Sequence, residues 1–373
     1  MPRIFIRICT NFINSMTELR EIEVLVAEGL YEDALEKVHG LKDTLDKVRA
    51  LTSIALALHH DNGDEEWIET LLEDARYLAG RIRNQEDAVA AYSLIASTYG
   101  RAGREAEALE LFEEGIDMAG EIGNPILRSR ALANLAYYLA IAGFVTSALD
   151  VFEIAFDGIV RAEAEYTLKV DYLIEIAELL EKAGDSLNSK EALPFYRRAH
   201  DIFEKLHVGQ KAILLDKKAK LASMLIHAGS PEIRRALFEG DDHRAVSMAS
   251  RMYSGPSRVI GLLEVAFWIK KMEGKEYHEV IENALREGGD VRLSEAHIQY
   301  IAKLLTELGS LENAIAFARM IGDVRERSEA LGALAAALAR RGRLKAAHRV
   351  AGEIPDEELK QKIMDEIATM EEA

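Results

Sequence analysis

The amino-acid sequence predicts an all-α protein, a solenoid of about nine antiparallel helix pairs. The main observation is a repeated pattern, in which a helix with small residues, a glycine and a second helix with a regularly placed alanine follow one another. A second observation is that sustained period-two alternation, which is typical of strands, is missing after the first residues of the chain. Self-similarity at a nearly fixed period is typical of stacked helical hairpins, each of which contacts only its neighbours.

The pattern is clearest in four segments of the chain. They contain Ile95, Ala96, Tyr99, Gly103, Ala108 and Phe112; Leu135, Ala136, Leu139, Gly143, Ala148 and Phe152; Ile301, Ala302, Leu305, Gly309, Ala314 and Ala318; and Leu334, Ala335, Leu338, Gly342, Ala347 and Ala351. A glycine that follows one helix and precedes another is expected to adopt a positive φ. Such glycines are Gly29, Gly63, Gly103, Gly143, Gly184, Gly229, Gly274, Gly309 and Gly342.

The glycine spacing predicts two arrays. Successive glycines lie 40 or 41 residues apart from Gly63 to Gly184, but only 33 residues separate Gly309 from Gly342. The N-terminal helices should therefore be the longer ones. The repeat breaks phase near a Ser230-Pro231 helix start. We predict a leader outside the fold over 1–15, an array with long helices over 16–228, a junction over 229–242, and an array of shorter period with a capping helix over 243–373.

The first fifteen residues differ from the rest of the chain. Arg7 and Asn11 interrupt the apolar stretch that a secretory signal would need. The single cysteine, Cys9, excludes an internal disulfide and fits a reducing cytoplasm. We therefore expect the leader to be dispensable for folding and the protein to be cytoplasmic.

The spacing of Leu135, Ala136, Gly143, Ala148 and Phe152 resembles that of the tetratricopeptide repeat. The resemblance covers roughly residues 20–353. It implies a right-handed superhelix in which small residues of the first helix pack on alanines of the second. It further implies that the first helices line a concave groove that binds proteins or peptides.

Composition excludes several classes of function. The formal net charge of −18 argues against nucleic acid as a partner, because nucleic-acid binding requires a basic face. No apolar run reaches the ~18 residues of a membrane span, so no membrane association is expected. Glutamine is scarce while Glu, Lys and Arg are abundant, a composition typical of thermophile proteins.

Catalytic and metal-binding motifs are missing, so we predict that the protein is not an enzyme and has no catalytic, cofactor-binding or metal-binding residues. Two short runs contain ligand-type residues side by side, His59-His60-Asp61 and Asp241-Asp242-His243. Adjacent residues rarely converge on one ion, and both runs lie near predicted helix ends, so solvated turns are expected there.

Six residues are candidates for partner binding. The carboxylate clamp of Lys, Asn and Arg that the tetratricopeptide family uses is missing, and only Arg130, Asn134 and Tyr137 could hold a carboxylate. An arginine recurs near the start of first helices, although positive charge there opposes the helix dipole. These arginines are Arg49, Arg130, Arg258 and Arg327. They predict either a row that faces an acidic or phosphorylated ligand, or salt bridges and packing within the protein.

The sequence thus predicts a non-catalytic scaffold that binds a protein or peptide along the concave face of a helical-repeat array. The alternative is a ligand-responsive regulatory domain that binds a small molecule or a modified peptide in the groove. A third interpretation, an enzyme of the prenyltransferase-subunit type, would need a zinc or diphosphate site, and the sequence offers neither. One deep closed pocket would favour the second interpretation over the first.

Overall fold

The computed structural model describes residues 17–289 and 291–372. Every regular element within those ranges is an α-helix, which confirms the predicted all-α class. None of these helices combines the length and the apolar character needed to cross a bilayer. The predicted leader, including Cys9, lies outside the described residues.

The described chain divides into two compact units. The N-terminal unit contains the described residues up to Leu187 together with Pro194–Asp216. The C-terminal unit contains Asn188–Leu193 and the described residues from Lys217 onward. The junction at 229–242 stays a prediction.

The N-terminal unit is a stack of antiparallel helix pairs. In chain order its helices are α1 (17–27), α2 (Tyr31–Gly40), α3 (Thr44–His60), α4 (Glu65–Ala79), α5 (Gln85–Arg101), α6 (Glu105–Gly120), α7 (Pro125–Ile141), α8 (Val145–Arg161) and α9 (Tyr166–Ser186). The helices α3, α5 and α7 pair with α4, α6 and α8, and α3 packs on α5, α5 on α7 and α7 on α9. First helices therefore form one continuous layer within this unit.

The next two helices, α10 (Ser189–Lys205) and α11 (Gly209–Met224), each contain residues of both units. The C-terminal unit continues with α12 (Pro231–Glu239), α13 (Asp242–Met252), α14 (Gly255–Glu273), α15 (His278–Gly289), α16 (Glu295–Leu308), α17 (Leu311–Arg319), α18 (Val324–Arg340), α19 (Leu344–Gly352) and α20 (Glu357–Glu372). Here α14, α16 and α18 pair with α15, α17 and α19, and again each first helix packs on the next. The described residues thus form a tetratricopeptide-like helical-hairpin repeat, as the sequence predicts.

Second helices differ in length between the two units. They have 15 to 17 residues in α4, α6 and α8, but 9 to 12 residues in α15, α17 and α19. At a rise of about 1.5 Å per residue, the difference amounts to roughly one to two helical turns.

Alanines allow the paired helices to approach closely. The small residues of the first helices and the alanines of the second helices are fully buried, for example Ala96 with Ala108 in one repeat and Ala136 with Ala148 in the next. A larger side chain at these positions would have to displace backbone, because protein interiors are packed like organic crystals.

Most of the glycines that separate successive predicted helices adopt the expected positive φ, for example Gly103 and Gly143 with φ values of 78° and 95°. The expectation of a positive φ is wrong for Gly63, Gly184 and Gly229. At each of these three sites, a close neighbour would meet a Cβ atom. Close packing rather than a left-handed turn therefore accounts for glycine there.

Gly184 shows this packing most clearly. Helix α9 continues through it to Ser186, so no turn occurs at this glycine. A Cβ at Gly184 would lie 2.7 Å from the ring of Tyr196. Near Gly63 the left-handed conformation is instead adopted by Asn62, which has a φ of 54°.

Candidate binding face on the first helices

The candidate site is the surface formed by first helices of the N-terminal unit. We call it the first-helix face and define it by side chains of α3, α5, α7 and α9, namely Arg49, Asp87, Arg130, Asn134, Tyr137, Glu175 and Lys182. Four of the six predicted binding residues belong to this face, and Arg258 and Arg327 lie in the C-terminal unit.

Arg130 links three successive first helices. Its Nε donates to Glu175 Oε1 of α9 over 3.0 Å, and its Nη1 lies 3.8 Å from Glu86 Oε1 of α5. The Arg130 side chain remains 43% exposed. Its guanidinium is therefore held in one orientation by two carboxylates while part of it stays accessible to a partner.

Asp87 lies within electrostatic range of both arginines of this face. Burial raises the pKa of the Asp87 carboxyl, Asp43 raises it further, and the guanidinium groups of Arg49 and Arg130 act to lower it. The Nη1 atom of Arg49 also lies 3.3 Å from Oδ1 of Asp46 on the same helix, α3. Charges of both signs consequently alternate across α3, α5 and α7, and a partner of purely acidic character would meet carboxylates as well as arginines.

Tyr137 provides an aromatic surface beside these charges. Its ring packs edge-on against Tyr138, with ring centroids 5.2 Å apart, and the Nζ of Lys182 lies 4.6 Å from its centroid. Asn134 donates from Nδ2 to the carbonyl of Arg130 over 3.1 Å. Half-buried tyrosines and ordered arginines are the residue types that dominate protein interfaces.

The four predicted arginines do not occupy one equivalent position. Arg49 and Arg130 lie six residues before the buried alanine of their first helices, whereas Arg258 and Arg327 lie eight residues before it. They form two rows that differ by two residues in register.

The position eight residues before the alanine holds a cation in five first helices, and each cation donates to a carbonyl of the preceding segment. The pairs are Lys47 with His39, Arg128 with Ile122, Lys169 with Val160, Arg258 with Tyr253, and Arg327 with Ile321. The acceptors lie at or just beyond the C-terminal end of the preceding helix, where carbonyls lack helical partners and the helix dipole favours positive charge. This neighbouring helix end explains why cations occur at the start of first helices.

The two ligand-type runs have structural roles. Asp61 accepts a hydrogen bond from Tyr31 Oη, and Asp241 accepts one from the backbone N–H of Arg244 at the start of α13. The expectation of a solvated turn is wrong for Asp242, which is buried. The side chains of residues 275 and 277, a lysine and a tyrosine, cover Asp242 and donate to its Oδ2.

One buried acid lies in no motif that the sequence displays. Glu264 of α14 is fully buried, and its oxygens accept hydrogen bonds of 2.9 to 3.1 Å from three backbone N–H groups of residues 226–228. Tyr300 Oη donates a fourth bond of 2.8 Å. Burial raises the pKa of Glu264 to about 7, although these four donors act to lower it. The carboxylate thereby fixes the segment that connects α11 to α12.

Glu264 occupies a recurring repeat position. It lies two residues before the alanine of its first helix, as do Asn134 and Glu175 on the first-helix face. A glutamate at this position could have been noted from the sequence. Its burial could not, because its partners lie 36 to 38 residues away along the chain.

Comparison with known proteins identifies a relative of known structure. Ton1535 from Thermococcus onnurineus NA1 shares 43% sequence identity with this chain, and the alignment covers 95% of this chain and 99% of that chain with a TM-score of 0.86. A circular tandem repeat protein (15% identity, 96% of this chain and 88% of that chain, TM-score 0.27) and yeast Tom70 (13% identity, 96% of both chains, TM-score 0.26) also align, but likeness at these scores supports no inference. No protein-family model and no curated protein sequence matches the chain.

Proposed function

We propose that this chain, which belongs to the same protein family as Ton1535, is a non-catalytic cytoplasmic scaffold that binds a protein or peptide through its first-helix face. The observation that carries the proposal is the set of accessible polar and aromatic side chains that project from successive first helices and are held in place by neighbours. Helical-repeat arrays commonly present such an extended surface to their partners.

The chemistry of the face indicates what kind of partner it fits. Arg49, Asp87, Arg130 and Glu175 alternate in charge, so a matching partner segment would carry both acidic and basic side chains. An acidic group of the partner would compete with Glu175 for Arg130. A basic group of the partner would then pair with the Glu175 carboxylate that Arg130 releases. This exchange favours specificity over affinity, since desolvated ion pairs contribute little net binding energy.

Tyr137 is the side chain expected to contribute most to affinity. Its ring is half-buried and held against Tyr138, and it is flanked by the Lys182 ammonium, so contact with a partner costs little side-chain entropy. The alternative of a ligand-responsive regulatory domain that binds a small molecule or a modified peptide in the groove remains a prediction.

The experiment compares two matched double variants of the full chain. Arg130→Ala with Tyr137→Ala removes one arginine and one tyrosine from the first-helix face. Tyr77→Ala with Arg81→Ala removes the same residue types from another exposed surface. Tyr77 lies on the second helix α4 and Arg81 follows the end of that helix, and Arg81 Nη1 donates to Tyr77 Oη. Circular dichroism establishes that both variants are folded.

Each protein is then used to capture partners from cells that contain the native protein, and the captured proteins are quantified by mass spectrometry. We expect a partner that the wild type and the Tyr77/Arg81 variant retain and the Arg130/Tyr137 variant loses. Equal capture by both variants would place the binding surface elsewhere and would contradict the proposal.

A further inference from the structure

A second group of side chains, in the N-terminal unit, has the composition of a metal site. His200, Asp201 and Glu204 lie on α10, and one ligand-type atom from each lies within 4.8 Å of the others. His200 and Glu204 are four residues apart, so they are neighbours on the same side of the helix. The Nδ1 of His200 and the Oδ1 of Asp201 are 3.6 Å apart. Ligands of one cation are separated by distances of this order, given metal–ligand bonds of about 2.0–2.2 Å.

A cavity beside this group is lined by further ligand-type side chains. Its volume is about 500 Å³, and it is lined by His200, Glu204, His207 and Asp216 among other residues. His207 lies in the turn between α10 and α11 and has a φ of 58°, a left-handed conformation that is uncommon for residues other than glycine. Two imidazoles and two carboxylates from two helices and their connecting turn therefore surround one hollow.

The negative charge around this cavity is not neutralised by neighbouring cations. Among the residues that the structure describes, the carboxylates of Glu204 and Asp216 take part in no ion pair, and Asp201 pairs only with the imidazole of His200. The nearby Lys211 instead pairs with two glutamates of α9, at positions 178 and 181. The carboxylates of Asp201 and Glu204 lie within 4.8 Å of each other, so a cation bound between them would reduce their mutual repulsion.

We propose that His200, Asp201 and Glu204 bind a divalent transition-metal ion such as Zn²⁺ beside the cavity that His207 and Asp216 also line. Imidazole nitrogen together with carboxylate oxygen is a ligand set that suits Zn²⁺ and its neighbours better than Mg²⁺ or Ca²⁺, which prefer oxygen ligands alone. The ion would hold three side chains of α10 together, and it would stabilise that helix. The sequence predicts no metal site, because His200, Asp201 and Glu204 match no established metal-binding motif.

The test uses the full chain after removal of metal by a chelator and dialysis. Titration calorimetry with Zn²⁺ should show one site in the wild type. His200→Ala should weaken Zn²⁺ binding by roughly 10–100-fold or more, as loss of groups that hold a metal commonly does. The matched control, His59→Ala with His60→Ala, removes two adjacent histidines at the end of α3 and should bind Zn²⁺ like the wild type.

Two further measurements keep the test decisive. Glu204→Gln keeps the shape of the side chain and should also weaken Zn²⁺ binding, and Zn²⁺ should raise the melting temperature of the wild type but not of His200→Ala. Mg²⁺ and Ca²⁺ should bind more weakly than Zn²⁺. The proposal is overturned if the wild type binds no Zn²⁺, if His200→Ala and Glu204→Gln bind it as tightly as the wild type, or if Mg²⁺ or Ca²⁺ binds equally well.

Discussion

Among individual side chains, the cations eight residues before the buried alanine of a first helix have a specific structural role. Arg128 shows it best, because its Nε and Nη2 both donate to the carbonyl of Ile122, over 3.0 and 2.8 Å. The recurrence of arginines near these helix starts is visible in the sequence. The count from the alanine, six or eight residues, separates the two rows in the sequence, but the helix-end carbonyl that each cation contacts is visible only in three dimensions.

We predict that Arg128→Ala destabilises the protein by about 1.5–3 kcal/mol, since it removes charged donors from a helix-end carbonyl. Arg161→Ala is the control: that side chain is 79% exposed and pairs with Asp157 of its own helix, so its loss should cost less than about 1 kcal/mol. Urea unfolding of both variants measures the difference. Equal midpoints for the two variants would show that the Ile122 contact contributes no stability.

Glu264 predicts a specific dependence of stability on pH. Burial raises the pKa of Glu264 in the folded protein to about 7, above the ordinary value of 4.5. At pH values between these two pKa values, folding is therefore accompanied by uptake of a proton. The contribution of this group to stability is therefore present at low pH and is lost as the pH rises to about 7. The expected loss between pH 5 and pH 8 is about 2–3 kcal/mol.

Glu264→Gln removes this titration and isolates its contribution from that of other acids. The free energy of unfolding of the wild type minus that of the variant should be larger at pH 5 than at pH 8. Denaturant unfolding of both proteins at the two pH values provides the comparison. A difference that is constant with pH would mean that the Glu264 carboxyl titrates at its ordinary pKa.

At the scale of helices, the elements and their pairing could be predicted because small residues and glycines mark them directly. Ala148 lies at the interface of a helix pair, and Asn124 with Pro125 marks the start of α7, where Asn124 Oδ1 accepts from the N–H of Ile126. The extension of α9 through Gly184 was not predictable in the same way. It depends on contact with a tyrosine of the next helix, at position 196.

We predict that Ala148→Leu and Ala314→Leu each destabilise the protein by about 1–3 kcal/mol, because both alanines are fully buried between paired helices and a larger side chain would force the helices apart. The control is Leu109→Ala on the second helix α6, where the leucine is 41% exposed, and this change should have a smaller effect. Thermal and denaturant melts measure the effect. Unchanged unfolding midpoints for Ala148→Leu and Ala314→Leu would mean that these helix-pair interfaces are loosely packed.

At the scale of the whole molecule, nearest-neighbour packing predicts that each array retains structure alone. Fragments 16–228 and 240–373 should both show helical circular dichroism, with lower stability than the full chain. A fragment 217–373 should be more stable than 240–373, because it restores the three N–H donors to Glu264 together with α12. Random-coil spectra for both shorter fragments would indicate a single cooperative unit without the junction predicted at 229–242.

The candidate binding face could be predicted only in part from the sequence. Arg130, Asn134 and Tyr137 were identified because they share one side of one helix. The carboxylates that hold Arg130, at positions 86 and 175, lie on other first helices, and sequence alone gives no rule for pairing charges at such separations. The same holds for the His200 group, where the spacing of His200 and Glu204 was visible but the cavity beside them was not.

The central claim, that the first-helix face holds a partner protein or peptide, is tested most directly by photo-crosslinking in cells that contain the native protein. A photoreactive amino acid replaces Asn134 on the first-helix face in one version of the full chain and Tyr77 on the second helix α4 in another. We predict that irradiation links the Asn134 version to a defined partner and the Tyr77 version to none. Crosslinking of the same partner from Tyr77 but not from Asn134 would contradict the account.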